Sequence, residues 1–259
     1  MGLEVLISLI TYQVIEQKVI DSISQNWLIH YFGITSRIPL IISYLIIFSM
    51  FFRSGFDWGK GIEKANNISL NIIFSLVFMI IGLELFDRLL FDLSKVIDYF
   101  SGVKLEPLRF SENSDVAMFY RGISVLIISP VLEELFFRKF LFGELLKRNS
   151  LLASIIFSSI CFSLIHLPSY RNLLPTFVLG VFSCFVYKNT NNIFYPIILH
   201  FLSNLSWLLL MIYGKAYYYW IYELEYNLIY WLLPILGSGF LYIGMKKMTA
   251  ANNGYMPCR

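Results

Sequence analysis

Apolar positions in this chain come in long unbroken runs, at about 38–53, 68–90, 117–137, 151–167, 172–188, 192–213 and 228–246. A strand facing water on one side would alternate, and a soluble helix would show a one-sided stripe. Neither pattern is present. A bilayer core of roughly 30 Å is crossed by about 20 apolar residues in helical form. Runs of this length therefore predict an all-α polytopic transmembrane bundle of seven or eight spanning helices. The eighth depends on the first thirty residues, where apolar Leu3 to Ile10 gives way to Gln13, Glu16, Gln17 and Lys18. That segment reads either as a span facing protein or as a helix lying in the interface. The polar stretches 54–67 and 92–116 read as loops or surface helices.

Composition supports the membrane reading. Hydrophobic residues make up 58% of the 259 positions and charged residues 14%, with a mean hydropathy of +0.68. Soluble domains carry about 25% charged residues, so a soluble fold of this length could not cover its surface. The net charge is +3 and the basic residues are scattered, which excludes a nucleic-acid-binding stripe. Arg53, Lys60 and Lys64 fall on one side with Lys139, Lys147, Arg148, Lys246 and Lys247, against Lys95, Lys104 and Arg109 on the other. That bias predicts a cytoplasmic C-terminus. Tyr217, Tyr218, Tyr219 and Trp220 read as an interfacial aromatic belt. Cys161, Cys184 and Cys258 have no CxxC spacing, and two of them sit in apolar runs, so neither disulfides nor a thiolate zinc site is expected. The N-terminus lacks the pattern of a cleavable signal peptide.

Ionisable groups within spanning segments cost several kcal/mol, and so they point to function. Three clusters break the apolar runs. The first is Pro130 to Arg138, with consecutive Glu133 and Glu134. Glu134 and Arg138 share a helix face at i,i+4 and can pair. Glu133 lies about 100° around the helix and has no partner at that spacing. An unpaired carboxylate in a low-dielectric setting suits a general base, whereas a helix end at the headgroups is the structural alternative. The second cluster is Phe162 and His166, at i,i+4 in an apolar helix that Pro168 stops. The third is His200 and Asn204, on one face of the run after Pro196. Each could be helix-to-helix polar packing. Together, one Glu, two His and an Asn could activate a water and stabilise an oxyanion. Glu133, His166 and His200 could instead hold zinc with an open water position. The HExxH zinc signature is missing, with Phe201 and Asn204 in its places. Zinc and metal-independent water activation both stay open.

At these residues the sequence resembles the CPBP intramembrane protease family, also called Abi, which includes CAAX-processing endopeptidases and bacteriocin-processing or immunity proteins. The family pattern EExxxR, FxxxH, HxxxN reads here as Glu133-Glu134 with Arg138, Phe162 with His166, and His200 with Asn204, in that order. The resemblance covers about residues 120–210. With it, the chain divides into N-terminal membrane helices and polar loops over 1–116, a catalytic core of the resembled family over 117–213, and a C-terminal helix and tail over 214–259, the flanking parts adding only a compatible helix count. The resemblance implies that Glu133 is the water-activating base with His166 beside it, that His200 and Asn204 stabilise the oxyanion, and that Glu134, Arg138 and Phe162 support them.

The function expected is hydrolysis of a peptide bond in a membrane-associated peptide or protein. Candidates are a CAAX protein or, for an Ile-, Asn-, Lys- and Phe-rich chain that suggests an AT-rich bacterial genome and a plasma-membrane location, a bacteriocin or other peptide precursor. One rival is a non-catalytic immunity protein or regulatory scaffold of the same fold. Another is a transporter or proton relay built on the same buried Glu and His.

Overall fold

The computed structural model describes parts of 41–49 together with residues 70–90, 101–102, 122–167, 172–224 and 227–253. It is all-α, with no strand among the described residues. The expectations for residues 1–35, His30, most of the two polar stretches, Pro168 and Cys258 lie outside them. Contacts divide the chain into two compact units, 1–58 with 111–132, and 59–110 with 133–259. In the first unit, described residues between 41 and 49 are helical, and Tyr44 stacks on Phe48 at 6.0 Å.

The elements are α1 (Leu70–Leu90), a π-helical stretch π1 (Ser124–Ile128), α2 (Ser129–Glu134), a second π-helical stretch π2 (Leu135–Phe142), α3 (Gly143–Leu146), α4 (Leu151–Leu164), α5 (Leu173–Thr190), α6 (Phe194–Tyr213), α7 (Lys215–Glu223) and α8 (Leu228–Asn253). Helices α5 and α6, and α8 from Leu228 to Ala250, are long and apolar enough to cross a membrane, and α1 and α4 are shorter apolar helices. Helices α1, α4, α5, α6 and α8, with π1, α2 and the start of π2, fall on the predicted apolar runs. The exceptions are α3, which continues π2 beyond its run, and α7, which forms over the aromatic segment read as a belt. The chain is a multi-pass membrane protein. In keeping with that, large apolar side chains such as Leu70, Leu152 and Ile235 face outward, about two-thirds exposed.

Local chemistry sets the helix ends. Ser150 caps α4 by accepting the Ala153 amide. Asn191 ends α5 in the left-handed region at φ 49°, where its amide reaches Tyr187 O. The Asn192 carboxamide accepts the Phe194 amide at the start of α6, and Asn227 does the same for Tyr230 at the start of α8. Pro175 and Pro196 stand in first turns, where a missing N–H costs nothing.

Close backbone approach builds the second unit. Helices α1 and α8 run antiparallel in contact. A Cβ on Gly82 would lie 2.8 Å from Gly237 O, and one on Gly244 would lie 2.9 Å from Ser75 O. Small residues at such crossings are the usual route to tight membrane packing. Helices α4 and α5 form a second antiparallel pair, where a Cβ on Gly180 would lie 3.0 Å from Ser159 Cβ. Ser163 Oγ donates to Leu173 O across that hairpin. Ser158 Oγ donates to Phe137 O at 2.9 Å and ties α4 to π2. These links hold π2 and α4 against each other and converge on a core of Phe137, Phe162, Leu179 and Leu199.

Candidate active site

All the site residues expected from the sequence lie in the second unit. Glu133 and Glu134 end α2, just where the helix loosens into π2. Arg138 follows in π2, Phe162 sits in the last turn of α4, and His200 and Asn204 lie one turn apart on α6. π-helical turns are rare and gather at functional sites. Here they are not readable in the sequence, because Leu135 to Phe142 carry no marker separating π from α.

The expected pair forms. Arg138 Nε lies 2.9 Å from Glu134 Oε2, both side chains fully buried. Its angle is off the line of a hydrogen bond, since neither atom has a hydrogen-bond partner among the described residues. The contact is thus an ion pair held by charge. The Arg138 guanidinium also lies over the Phe162 ring, 4.1 Å from its centroid. A buried cation above an aromatic face gains about 2 kcal/mol.

The second carboxylate oxygen of Glu134 has a partner that the sequence did not suggest. His200 Nδ1 lies 2.9 Å from Glu134 Oε1. Glu134 therefore bridges Arg138 and an imidazole 66 residues away. No local spacing encodes such a link. The other ring nitrogen, His200 Nε2, lies 3.9 Å from Glu133 Oε2. Glu133 is 5% exposed and His200 3%. Among the described residues, Glu133 Oε2 has no hydrogen-bond partner. A gap of 3.9 Å is too long for a hydrogen bond and suits one water bridging two contacts of roughly 2.8 Å.

His166 departs from its expected setting. Helix α4 ends at Leu164, and His166 lies in the turn beyond it, its amide bonded to Ser163 O at 3.0 Å. The ring-closed Pro168 has no N–H and disfavours helical backbone at the residue before it, so the last turn unwinds. His166 Nδ1 lies 2.9 Å from Phe162 O. The Phe162 ring joins the two histidines: its centroid is 5.1 Å from that of His166 and 5.6 Å from that of His200, both edge-on. His200 is thus an imidazole beside Glu133. Asn204 is half-buried.

Lys139, counted above toward the basic side, is 3% exposed within π2 and does not act as a loop charge. The sequence reading also passed over the buried serines Ser154, Ser158, Ser159 and Ser183 on the facing sides of α4 and α5. Their i,i+4 spacing at 154 and 158 was the available signal. For zinc, each histidine uses Nδ1 toward an oxygen, the orientation common in metal ligands. However, no three His, Cys, Asp or Glu side chains among the described residues gather as a metal-binding group.

Residues 115–206 match the family model described as type II CAAX prenyl endopeptidase Rce1-like. The chain is 33% identical over 78 residues to a putative membrane peptidase, YdiL, of Bacillus subtilis, covering 30% of this chain and 32% of that protein. It is 41% identical over 86 residues to the membrane-embedded CAAX protease MroQ of Staphylococcus aureus, covering 31% and 34%. It is 34% identical over 79 residues to the UPF0177 protein YxdF of Lactococcus lactis, covering 30% and 43%. These matches span between a third and somewhat under half of the relatives' lengths. No solved structure matches the chain. The resemblance carried by the three motifs holds for this segment, which contains every residue of the site.

Proposed function

We propose that this chain, Rce1-like over residues 115–206, is an intramembrane endopeptidase that cleaves a membrane-associated peptide with a water activated by Glu133. The observation that carries this reading is the buried Glu133 Oε2, without a hydrogen-bond partner among the described residues and 3.9 Å from His200 Nε2. Burial keeps bulk water from the carboxylate, so an admitted water meets a strong acceptor in a low-dielectric site.

In the reaction, Glu133 takes a proton from the water as its oxygen bonds to the scissile carbonyl carbon. The carbonyl becomes an oxyanion, and Asn204, one turn from His200 on α6, supplies amide donors on that side. As the C–N bond breaks, the same proton passes from Glu133 to the leaving nitrogen. The products are a new carboxyl terminus and an amine. The substrate is a peptide that partitions into the bilayer. MroQ is named as a CAAX protease, so a prenylated C-terminal peptide and a secreted-peptide precursor are the two substrates to compare. With Lys246 and Lys247 near the end of α8, the positive-inside bias supports a cytoplasmic C-terminus.

The test is cleavage of both substrate types by purified protein in liposomes, run in 18O-water with mass analysis of products and metal analysis of the preparation. One 18O atom should enter the new carboxylate. Glu133→Gln should lower turnover roughly 10²- to 10⁴-fold, the usual worth of a general base. Unchanged cleavage by Glu133→Gln, His166→Ala and His200→Ala would remove this mechanism. Metal stoichiometric with activity would assign water activation to zinc.

A further inference from the structure

A hydroxyl in an apolar helix commonly donates back to its own helix, one turn earlier. Ser75 reaches Asn71 O at 2.7 Å, Ser154 reaches Ser150 O at 2.9 Å and Ser238 reaches Pro234 O at 2.9 Å. Ser159 on α4 and Ser183 on α5 make no such bond. Both are fully buried, and neither oxygen has a hydrogen-bond partner among the described residues. The two belong to one place. A Cβ on Gly180 would lie 3.1 Å from Ser159 Oγ, and Ser183 follows Gly180 at i+3, on the same face of α5. The Cys184 thiol, next along α5, lies beside Ser158 and Ser159 and within electrostatic reach of Arg138 and Glu134.

The Arg138 guanidinium adds donors to these hydroxyls. It is fully buried, and Nη1 and Nη2 have no acceptor among the described residues. Each of those nitrogens carries two N–H groups. Glu134 sits against Nε at 2.9 Å, and Phe162 covers one face of the group at 4.1 Å. Ser158 Oγ, bonded to the carbonyl of the neighbouring Phe137, brings α4 to this part of π2. Buried polar groups left unmet are costly, and their usual partner is an internal water making two to four bonds. We infer that Arg138 Nη1 and Nη2, with the Ser159 and Ser183 hydroxyls, form a binding site for internal water where π2 meets the α4–α5 hairpin. Water accepts from the guanidinium and donates to the serine oxygens. Ser158 Oγ spends its hydrogen on Phe137 O and keeps lone pairs that accept as well. Other occupants fit worse. A lipid tail would bond to none of these groups. An anion would meet the Glu134 carboxylate, which already neutralises Arg138, and a metal cation would meet Arg138 itself. Peptide hydrolysis takes up one water per bond cleaved, so on the peptidase reading the site stores water beside the chemistry. The water site itself goes beyond that reading and stands without it.

Cys184 is a built-in reporter. X-ray radiolysis turns bound water into hydroxyl radical where it sits, and a sulfur in contact with that water is oxidised. The experiment is pulsed X-ray footprinting of the full-length protein in detergent, read at each residue by mass spectrometry. Met79 and Met248 are the controls. They are as buried as Cys184, and their sulfurs are as reactive, but they lie in the apolar core. The expected result is oxidation of Cys184 with both methionines spared. In Ser159→Ala with Ser183→Ala, oxidation of Cys184 should drop to the level of the methionines while the helical circular dichroism stays the same. Cys184 no more oxidised than Met79 and Met248 in the unaltered protein would overturn the inference, as would oxidation that the double variant leaves in place. If the double variant does not fold, the contrast within the unaltered protein decides. The experiment reads no cleavage, so its failure and a failure of the peptidase reading are told apart.

Discussion

Replacing Arg138 with methionine tests the buried network through stability, independently of substrate. The side chain is fully buried, as is Glu134. Their 2.9 Å contact is worth about 6 kcal/mol of attraction at an effective dielectric near 20. The stacking on Phe162 at 4.1 Å adds about 2 kcal/mol. Both gains are offset by the cost of stripping water from a guanidinium. Methionine fills similar volume and escapes that cost, but it leaves the Glu134 carboxylate buried without its counter-ion. Breaking a buried pair from one side typically costs about 3–5 kcal/mol. At roughly 2–4 °C per kcal/mol for a chain of this size, Arg138→Met should unfold roughly 10 °C lower. The double variant Glu134→Gln with Arg138→Met removes both charges and leaves an amide oxygen for His200 Nδ1. It should recover about 2 kcal/mol or more, a coupling well above the additivity error of about 0.5 kcal/mol. The assay is unfolding in detergent followed by helical circular dichroism, as a full double-mutant cycle. An Arg138→Met protein as stable as its parent, or a double variant that loses the sum of both singles, would refute the network.

Two further outcomes are expected. Gly244→Ala places a Cβ 2.9 Å from Ser75 O and 2.8 Å from Met79 Cγ; a backbone oxygen cannot move aside easily, so stability should fall by about 1–3 kcal/mol. Gly239→Ala, five residues earlier on α8 with nothing within 4 Å, should be neutral or gain up to about 1 kcal/mol from helix propensity, and an equal loss in both would dismiss the α1–α8 crossing. Phe162→Leu keeps most of the core volume and should cost under about 1.5 kcal/mol of stability. It removes the ring shared by both histidines and Arg138, so cleavage should drop far more than folding; parallel losses in melting temperature and turnover would reduce Phe162 to a packing residue.

What the sequence disclosed and what it withheld follow from the range of the forces involved. Hydrophobic length is a local property, so the runs from 151, 172, 192 and 228 each became a helix. The Glu134–Arg138 pair is also local, one helical turn, and it formed as expected. Ser150 closes the start of α4 through its own side chain, and Asn191 ends α5 through a left-handed backbone, both local effects. By contrast, α7 was missed because Lys215 to Glu223 has the composition of an interfacial belt whether or not it is helical. His166 was placed within a helix because the effect of Pro168 reaches back farther than one residue when the preceding turn can pair its amides differently.

The largest gap lies in the contacts that join distant segments. Three motifs in order named the candidate residues, yet not which carboxylate faces which imidazole. The fold sets His200 beside Glu133, with Glu134 gripping the far side of its ring. This follows from packing that no motif records: the serines of α4 and Gly180 of α5 let two backbones approach, and Ser158 draws α4 onto the carbonyl of Phe137. That contact sets Phe162 against Arg138, and Arg138 in turn sets the side of Glu134 left for His200. Small residues far from the chemistry thus decide which nitrogen of His200 faces Glu133. A hydrolytic site in a membrane needs that decision made by the fold, because too little water is present there to remake it.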